Sequence, residues 1–385
     1  MRRAVSLLSA VLCRAQCRAE RGALLSAVLC RARCFAKRIA LPCNTAVLCL
    51  CACVAGQGGA GWLSVGFMVR VLVTRAVAPV TGVGTRRFGI HATDLGILWD
   101  NGQGRLLVAF GDTYGAEWGG HGAGPAHADW RCNVLASSSN RDLDRGLRLD
   151  SVVARADGVA AQIIERDRGV DENTVIPNSG IAVDGYNYLH YMSVREWRAD
   201  GWSTNYAGVA VSADGGATWT KPPGARWVNS AKDDHPFQIC AFASTADHVY
   251  LMGTTNGRFG GAYLGRCRRW DVLVPSAYEY WSGTWGKDAT PVMSGPVGEM
   301  SVGFNKHFGQ WLCLHLDEHR AAIVLRTAPE LTGPWTDGQV MADGRDIPAL
   351  YGGYLHPWAM DDATVYWTLS QWGPYNVTLM RTELG

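Results

Sequence analysis

Ser212-Ala-Asp214-Gly-Gly216-Ala-Thr218-Trp219 is the stretch that decides the fold. It fits the pattern Ser/Thr-x-Asp-x-Gly-x-Thr-Trp, the aspartate-box turn. In that turn the aspartate carboxylate accepts backbone N–H groups, as Asx turns do, and the tryptophan packs beneath the sheet. The device belongs to the outer edge of β-propeller blades. The chain around it agrees. From Val69 onward, short segments rich in β-branched and aromatic residues are broken by turns at roughly regular intervals, and long helical periodicity is absent. Arg105–Phe110, Tyr188–Val194, Trp311–Leu316 and Val377–Arg381 are examples. The expected class is all-β, and about 315 residues at about four strands per blade predict a five-bladed β-propeller. The blades are expected at 92–150, 170–222, 235–290, 295–345 and 350–385. A strand at 69–80 would complete the last one, closing the ring and removing its sheet edges.

Composition supports a β-rich body: 46 of 385 residues are glycine, 16 are tryptophan, and only 18% are charged. The length allows a large core without disulfides. The net charge of +2 conceals two unlike parts. Residues 1–70 hold ten Lys/Arg and one acid, Glu20, which leaves 26 basic and 33 acidic residues in 71–385. An acidic body argues against a nucleic-acid partner. It suits a neutral or basic substrate.

The first 67 residues are set apart from the fold. Leu-Leu-Ser-Ala-Val-Leu-Cys-Arg-Ala at 7–15 recurs at 24–32, and eight of the 12 cysteines fall in the first 53 residues. This segment reads as an upstream extension, from a misplaced start with Met68 as the alternative, or as an export signal with its apolar part at 39–54. That apolar part is too short and too broken for a membrane span. The domain reading is therefore an extension at 1–67 and one propeller at 68–385. Cys132, Cys240, Cys267 and Cys313 are too scattered for a metal or redox motif and are expected as buried thiols, with one disulfide left open.

Chemistry gathers at the ends of one hairpin. Asp94-Leu-Gly-Ile-Leu-Trp leads to the turn Asp100-Asn101-Gly102-Gln103-Gly104, then Arg-Leu-Leu-Val-Ala-Phe-Gly-Asp112. Asn-Gly is a strong hairpin signal. Folding about Gln103 sets Asp94 opposite Asp112, where Cβ atoms stand about 4.5–5.5 Å apart. Carboxylates that close cannot both ionise easily. A protonated acid beside a carboxylate is the equipment of a glycoside hydrolase. The plainer reading is two strand-end aspartates that cap turns. In a propeller, both would face the same mouth of the central channel.

Other residues are expected at that mouth: Asn178 before the inner strand of blade 2, His235 in blade 3, Glu299 in blade 4, and Tyr351 and His356 in blade 5. Glu299 is either a salt-bridged strand-start residue or a third carboxylate that aids proton transfer or holds sugar hydroxyls. His356 is either a strand-start residue or a hydrogen bonder to substrate. Tyr114, Trp118, Tyr351, Trp372 and Tyr375 are core aromatics or, together, a rim that stacks on sugar rings. Arg258-Phe-Gly-Gly261 is a tight turn with a cation.

Several of these motifs occur together in a fixed order. They are His91-Ala-Thr-Asp94-Leu-Gly, Phe110-Gly-Asp112-Thr-Tyr114-Gly, Ile176-Pro177 with Leu189-His-Tyr191-Met-Ser193, Gly298-Glu299-Met-Ser301-Val, Leu325-Arg-Thr-Ala-x-x-Leu-x-Gly-Pro-Trp335, and Ser370-Gln371-Trp372-Gly-Pro-Tyr375-Asn376. This set resembles the actinobacterial endo-D-arabinanases, glycoside hydrolase family 183, formerly domain of unknown function 4185, over about 85–385. The resemblance implies a five-bladed propeller that cuts the α-D-arabinofuranosyl backbone of mycobacterial arabinogalactan and lipoarabinomannan, with Asp94 and Asp112 as the catalytic pair. It also implies export to the cell envelope or beyond. The expected protein is a monomer acting on arabinan without a nucleic-acid partner. No cofactor or metal is required, and a structural Ca²⁺ in the channel stays open. The stereochemistry and the identity of the acid stay open too. The rival reading is a non-catalytic carbohydrate-binding propeller, an adhesin or surface lectin. A sialidase is the weaker rival, because only one aspartate box is clear and no arginine cluster marks the mouth.

Overall fold

A computed structural model describes residues 69–198 and 201–385. The expectations for residues 1–67 and for Met68 fall outside them. The described chain is all-β: five small sheets with only four short 3-10 turns. Strand β1 (Val71–Pro79) comes first. Blade 1 is β2 (Ala92–Asp100), β3 (Leu106–Tyr114), β4 (Val134–Ser138) and β5 (Ser151–Val152). Blade 2 is β6 (Thr174–Val183), β7 (Tyr186–Arg198), β8 (Gly201–Ser212) and β9 (Arg226–Val228). Blade 3 has five strands: β10 (Ile239–Ser244), β11 (His248–Thr254), β12 (Tyr263–Arg268), β13 (Glu279–Trp281) and β14 (Trp285–Gly286). Blade 4 is β15 (Met300–Asn305), β16 (Gln310–Asp317), β17 (Ala322–Ala328) and β18 (Gln339–Asp343). Blade 5 is β19 (Leu350–Leu355), β20 (Thr364–Gln371) and β21 (Asn376–Leu384), with β1 as its outer strand.

The innermost strands β2, β6, β10, β15 and β19 contact one another in that cyclic order, and β19 returns to β2. This is a five-bladed β-propeller. The N-terminal strand closes it: β1 pairs antiparallel with β21 from Val71↔Leu384 to Pro79↔Thr378. Gln339 ties that strand to blade 4. Its Oε1 accepts Val71 N–H at 3.1 Å and its Nε2 donates to Val69 O at 2.6 Å.

Local chemistry accounts for the turns. Asn101 Oδ1 accepts the N–H groups of Gln103 and Arg105, which fixes the β2–β3 hairpin. In the aspartate box, Asp214 accepts the backbone and hydroxyl of Thr218, and Trp219 Nε1 donates to Gly216 O. Trp219 then packs edge-on against Trp99 of the neighbouring blade at 6.3 Å. Trp99 lies on the backbone of Gly180 in blade 2, where a Cβ would stand 2.3 Å from the indole. Interblade contacts of this kind, with fully buried Trp367, Tyr278 and Phe110, form the core. The four body cysteines are free and buried. Among the described residues no helix is long and apolar enough to cross a membrane.

The innermost strands of blades 2 and 5 begin earlier than the sequence reading had them. Pro177 and Asn178 read as breakers ahead of a strand, yet both lie inside β6, where Asn178 is the extra residue of a bulge between Pro177↔Tyr191 and Ser179↔His190. Gly352-Gly353 likewise sit inside β19 and form its bulge, two residues against Leu369 between Tyr351↔Ser370 and Tyr354↔Thr368. Blade 2 also runs past 222, because β9 ends at Val228.

Candidate active site

The β2–β3 hairpin carries the centre of the site, and it is not regular. Thr93 pairs with Thr113, Leu95 with Phe110, and Ile97 with Ala109. Asp94 alone therefore faces Gly111 and Asp112. Leu95 and Gly96 take positive φ (69° and 77°), the backbone form of this bulge. Bulges re-aim side chains in this way beside many sites. The Asp94 carboxylate comes to rest against Gly111, where a Cβ would lie 2.4 Å from Asp94 Oδ1. Glycine at 111 is thus what lets the two carboxylates approach.

The two carboxylates are held by different partners: Asp94 by blade 5, Asp112 by the β3–β4 connection of its own blade and by blade 2. Asp94 Oδ2 accepts the hydroxyls of Tyr351 at 2.9 Å and Tyr375 at 3.1 Å, both from blade 5. Asp94 Oδ1 has no hydrogen-bond partner. Asp112 Oδ1 accepts Trp130 Nε1 at 2.8 Å and the hydroxyl of Thr174, the first residue of β6, also at 2.8 Å. The surroundings are dense although both groups keep some solvent contact. Desolvation, then the charge of Asp112, pushes Asp94 up to about 7, against the two tyrosine hydrogen bonds. Desolvation pushes Asp112 up to about 6, against the bonds from Trp130 and Thr174. Both carboxyls are thus raised, and the pair resists double ionisation.

A second group lies beside the pair. Arg258 takes a positive φ of 74°. It donates to Glu299 Oε1 from Nε (3.0 Å) and Nη2 (2.6 Å), and to Glu318 Oε1 from Nη1 (2.9 Å). Burial would lower its pKa, but Glu299 and Glu318 keep the guanidinium firmly charged. Glu299 is buried, and its Oε2 is unpartnered.

These groups line one cavity of about 670 Å³ at the channel mouth. Of the residues singled out in the sequence, Asp94, Asp112, Tyr114, Glu299, Tyr351, Trp372 and Tyr375 meet there, and so does Arg258. Tyr351 and Tyr375 are buried and spend their hydroxyls on Asp94, so they set the carboxylate rather than offer an open ring. Trp118 stands behind, its Nε1 donating to Gly122 O.

Three expected residues do not reach the cavity. Asn178, turned by its bulge, points between blades 2 and 3 and bonds His190 Nδ1 (3.1 Å) and Gln238 O (3.4 Å). His235 lies four residues ahead of β10 and folds onto its own turn, accepting Phe237 N–H at Nδ1. His356 follows the far end of β19, where Leu355 and Pro357 line the opposite mouth. It is fully buried, and desolvation followed by Arg141 lowers its pKa to about 3. The sequence reading missed Trp130, Thr174, Trp197, Trp202 and Glu318. Trp197 and Trp202 face each other across the long β7–β8 hairpin. Trp130 and Thr174 carried no signal in the sequence. Among the described residues no group of three His, Cys, Asp or Glu side chains is placed to hold a metal ion.

Comparison with known proteins places the fold and the family. A crystal structure from Bacteroides ovatus superposes with a TM-score of 0.55 at 12% identity, covering 77% of this chain and 87% of that one. A family 117 glycoside hydrolase from Zobellia galactanivorans superposes with a TM-score of 0.50 at 11% identity, covering 80% and 90%. At these identities the likeness is one of fold. In sequence, notoamide biosynthesis cluster protein J of Aspergillus sp. (strain MF297-2) is 32% identical over 321 residues, 77% of this chain and 84% of that protein. With residues 81–381 matching its profile, the chain belongs to the family described as a domain of unknown function, DUF4185.

Proposed function

We propose that this protein is an endo-acting glycoside hydrolase that cleaves α-D-arabinofuranosyl linkages of mycobacterial arabinogalactan and lipoarabinomannan, with Asp94 and Asp112 as its reacting pair. The observation that carries the reading is the pair itself. Two carboxylates from one bulged hairpin share a cavity; burial raises both, and the charge of Asp112 raises Asp94 further. Asp94 keeps its proton to about pH 7 and protonates the leaving glycosidic oxygen. Asp112 is the ionised partner; it activates water or attacks the anomeric carbon. Trp130 and Thr174 hold one of its oxygens and leave the other for the reaction. Glu299, braced by Arg258, adds a third carboxylate to the cavity wall. The arabinan assignment itself rests on the ordered motifs quoted above.

The test is incubation of the purified protein with mycobacterial arabinogalactan, followed by chromatography of released sugars. A ladder of arabino-oligosaccharides supports the proposal. Release should vanish in Asp112→Asn with polymer binding retained. An Asp112→Asn protein of full activity, or a folded wild type that binds arabinan and releases nothing, refutes it.

A further inference from the structure

Two tryptophans in the cavity wall keep much of their surface in solvent, while Trp99, Trp202, Trp227 and Trp367 are buried. Trp197 is 49% exposed and Trp372 is 44% exposed, and both line the cavity. Trp197 belongs to blade 2 and Trp372 follows β20 of blade 5. Those blades are the two neighbours of blade 1 in the ring. Blade 1 carries both Asp94 and Asp112. A ligand that reaches both tryptophans therefore spans the carboxylate pair.

Neither ring is loose. β7 and β8 run 13 and 12 residues, longer than the other described strands, and Trp197 stands on the prolonged part. It pairs in register with Trp202, the rings 5.7 Å apart at 57°. Trp202 is pinned in turn: its Nε1 donates to Met192 Sδ, and the Arg258 guanidinium lies 5.3 Å from its ring. Blade 3 fastens the hairpin, because Asn256 Nδ2 donates to Trp202 O at 2.6 Å and Arg198 pairs with Asp233 at 3.2 Å. On the other side, Trp372 packs edge-on to Tyr375 at 5.4 Å, and Tyr375 bonds Asp94. Gly122 N–H of the blade 1 connection donates to Gly373 O, and a Cβ at 122 would come within 3.0 Å of Trp372 Nε1.

We infer that Trp197 and Trp372 are stacking platforms for an extended glycan, one on each side of the bond that is cut. The inference rests on the hydrolase reading above and adds the residues that place the chain. Fixed aromatic faces suit the apolar faces of sugar rings. The charge balance disfavours an anionic chain: Asp94, Asp112, Glu299 and Glu318 face the cavity against Arg258. Units bound on both flanks of the pair make the cut fall inside the polymer.

The test uses native-gel affinity electrophoresis in soluble mycobacterial arabinogalactan, with Asp112→Asn as the parent so that the polymer stays intact. Trp197→Ala and Trp372→Ala should each weaken retardation about tenfold, about 1.4 kcal/mol. Trp197→Phe and Trp372→Phe should recover most of it, which separates stacking from misfolding. Either alanine variant retarded as strongly as the parent overturns the inference, while a wild type that still hydrolyses the polymer leaves the hydrolase reading intact. If the alanine variants lose retardation but wild type releases no sugar, the platforms stand and the hydrolase reading falls. A parent that is never retarded, with a wild type that releases nothing, overturns both.

Discussion

Asp112→Asn should raise stability at alkaline pH while it destroys activity. Asparagine keeps an acceptor for Trp130 and Thr174, so the contacts of Asp112 Oδ1 survive. What disappears is a carboxylate whose pKa folding raises from 3.8 to about 6, first through desolvation. The sign follows from linkage. Between about pH 4 and 6 the folded protein binds more protons at this site than the unfolded chain does. Wild-type stability therefore falls as pH rises through that window, and the full cost applies above it. At 1.36 kcal/mol per pH unit the cost is at most about 3 kcal/mol. Solvent at the cavity mouth reduces this to about 1–2 kcal/mol. The same change relieves Asp94, whose elevated pKa owes its second-largest contribution to Asp112. Urea unfolding of both proteins at pH 4, 6 and 8 measures it. The curves should nearly coincide at pH 4 and separate by pH 8 with the variant more stable. Activity on arabinan should drop about 10²–10⁴-fold. A variant equal to or less stable than wild type at pH 8, or a gain independent of pH, would refute the electrostatic reasoning.

Tyr375→Phe removes a hydrogen bond that favours ionised Asp94, so the Asp94 pKa should rise further, by about one unit. If Asp94 is the acid, the alkaline limb of the kcat/KM profile moves up; movement of the acid limb would make Asp94 the base. Gly111→Ala places a Cβ 2.4 Å from Asp94 Oδ1, and the displaced carboxylate should lower kcat about 100-fold with little change in polymer retardation. An unchanged kcat would mean that the gap between the carboxylates is not what Gly111 protects. Gly180→Ala should cost about 1–3 kcal/mol in urea unfolding, since the new methyl meets Trp99 at 2.3 Å. Its cost should largely vanish in a Trp99→Leu background, where a double-mutant cycle reads the coupling.

The fold was legible where the signals are local. Asn101-Gly102 marks a hairpin through its own side-chain bonds to the backbone, and Ser212–Trp219 marks a blade edge because Asp214 satisfies the turn within a few residues. The strand expected at 69–80 as the completion of the last blade is β1, paired with β21. The catalytic-type pair could be found because a hairpin preserves distance from its centre: Asp94 and Asp112 remain near each other even though the pairing slips at Leu95. The residues that hold the pair were not legible. Trp130 comes from the β3–β4 connection, set beside Asp112 by the Thr113–Arg131 bridge, and Thr174 comes from the adjacent blade 2; neither placement is written in the local sequence.

Two of the three misread positions share one cause. Asn178 and His356 were placed by treating Pro177-Asn178 and Gly352-Gly353 as turns ahead of strands, whereas those residues are bulges inside β6 and β19. β2 is bulged as well, at Asp94 and Gly96. By contrast β10 and β15 pair with their neighbours in unbroken register. The irregular inner strands are those of blades 5, 1 and 2, the same three that carry Trp372, the two aspartates and Trp197. A regular strand alternates its side chains strictly between faces. Only a bulge can turn Asp94 over Gly111 and still return Ile97 to the core. In blades 2 and 5 the residues at these bulges, Pro177-Asn178 and Gly352-Gly353, are the ones that read as strand breakers, so strict alternation fails along the inner strands that carry the candidate site.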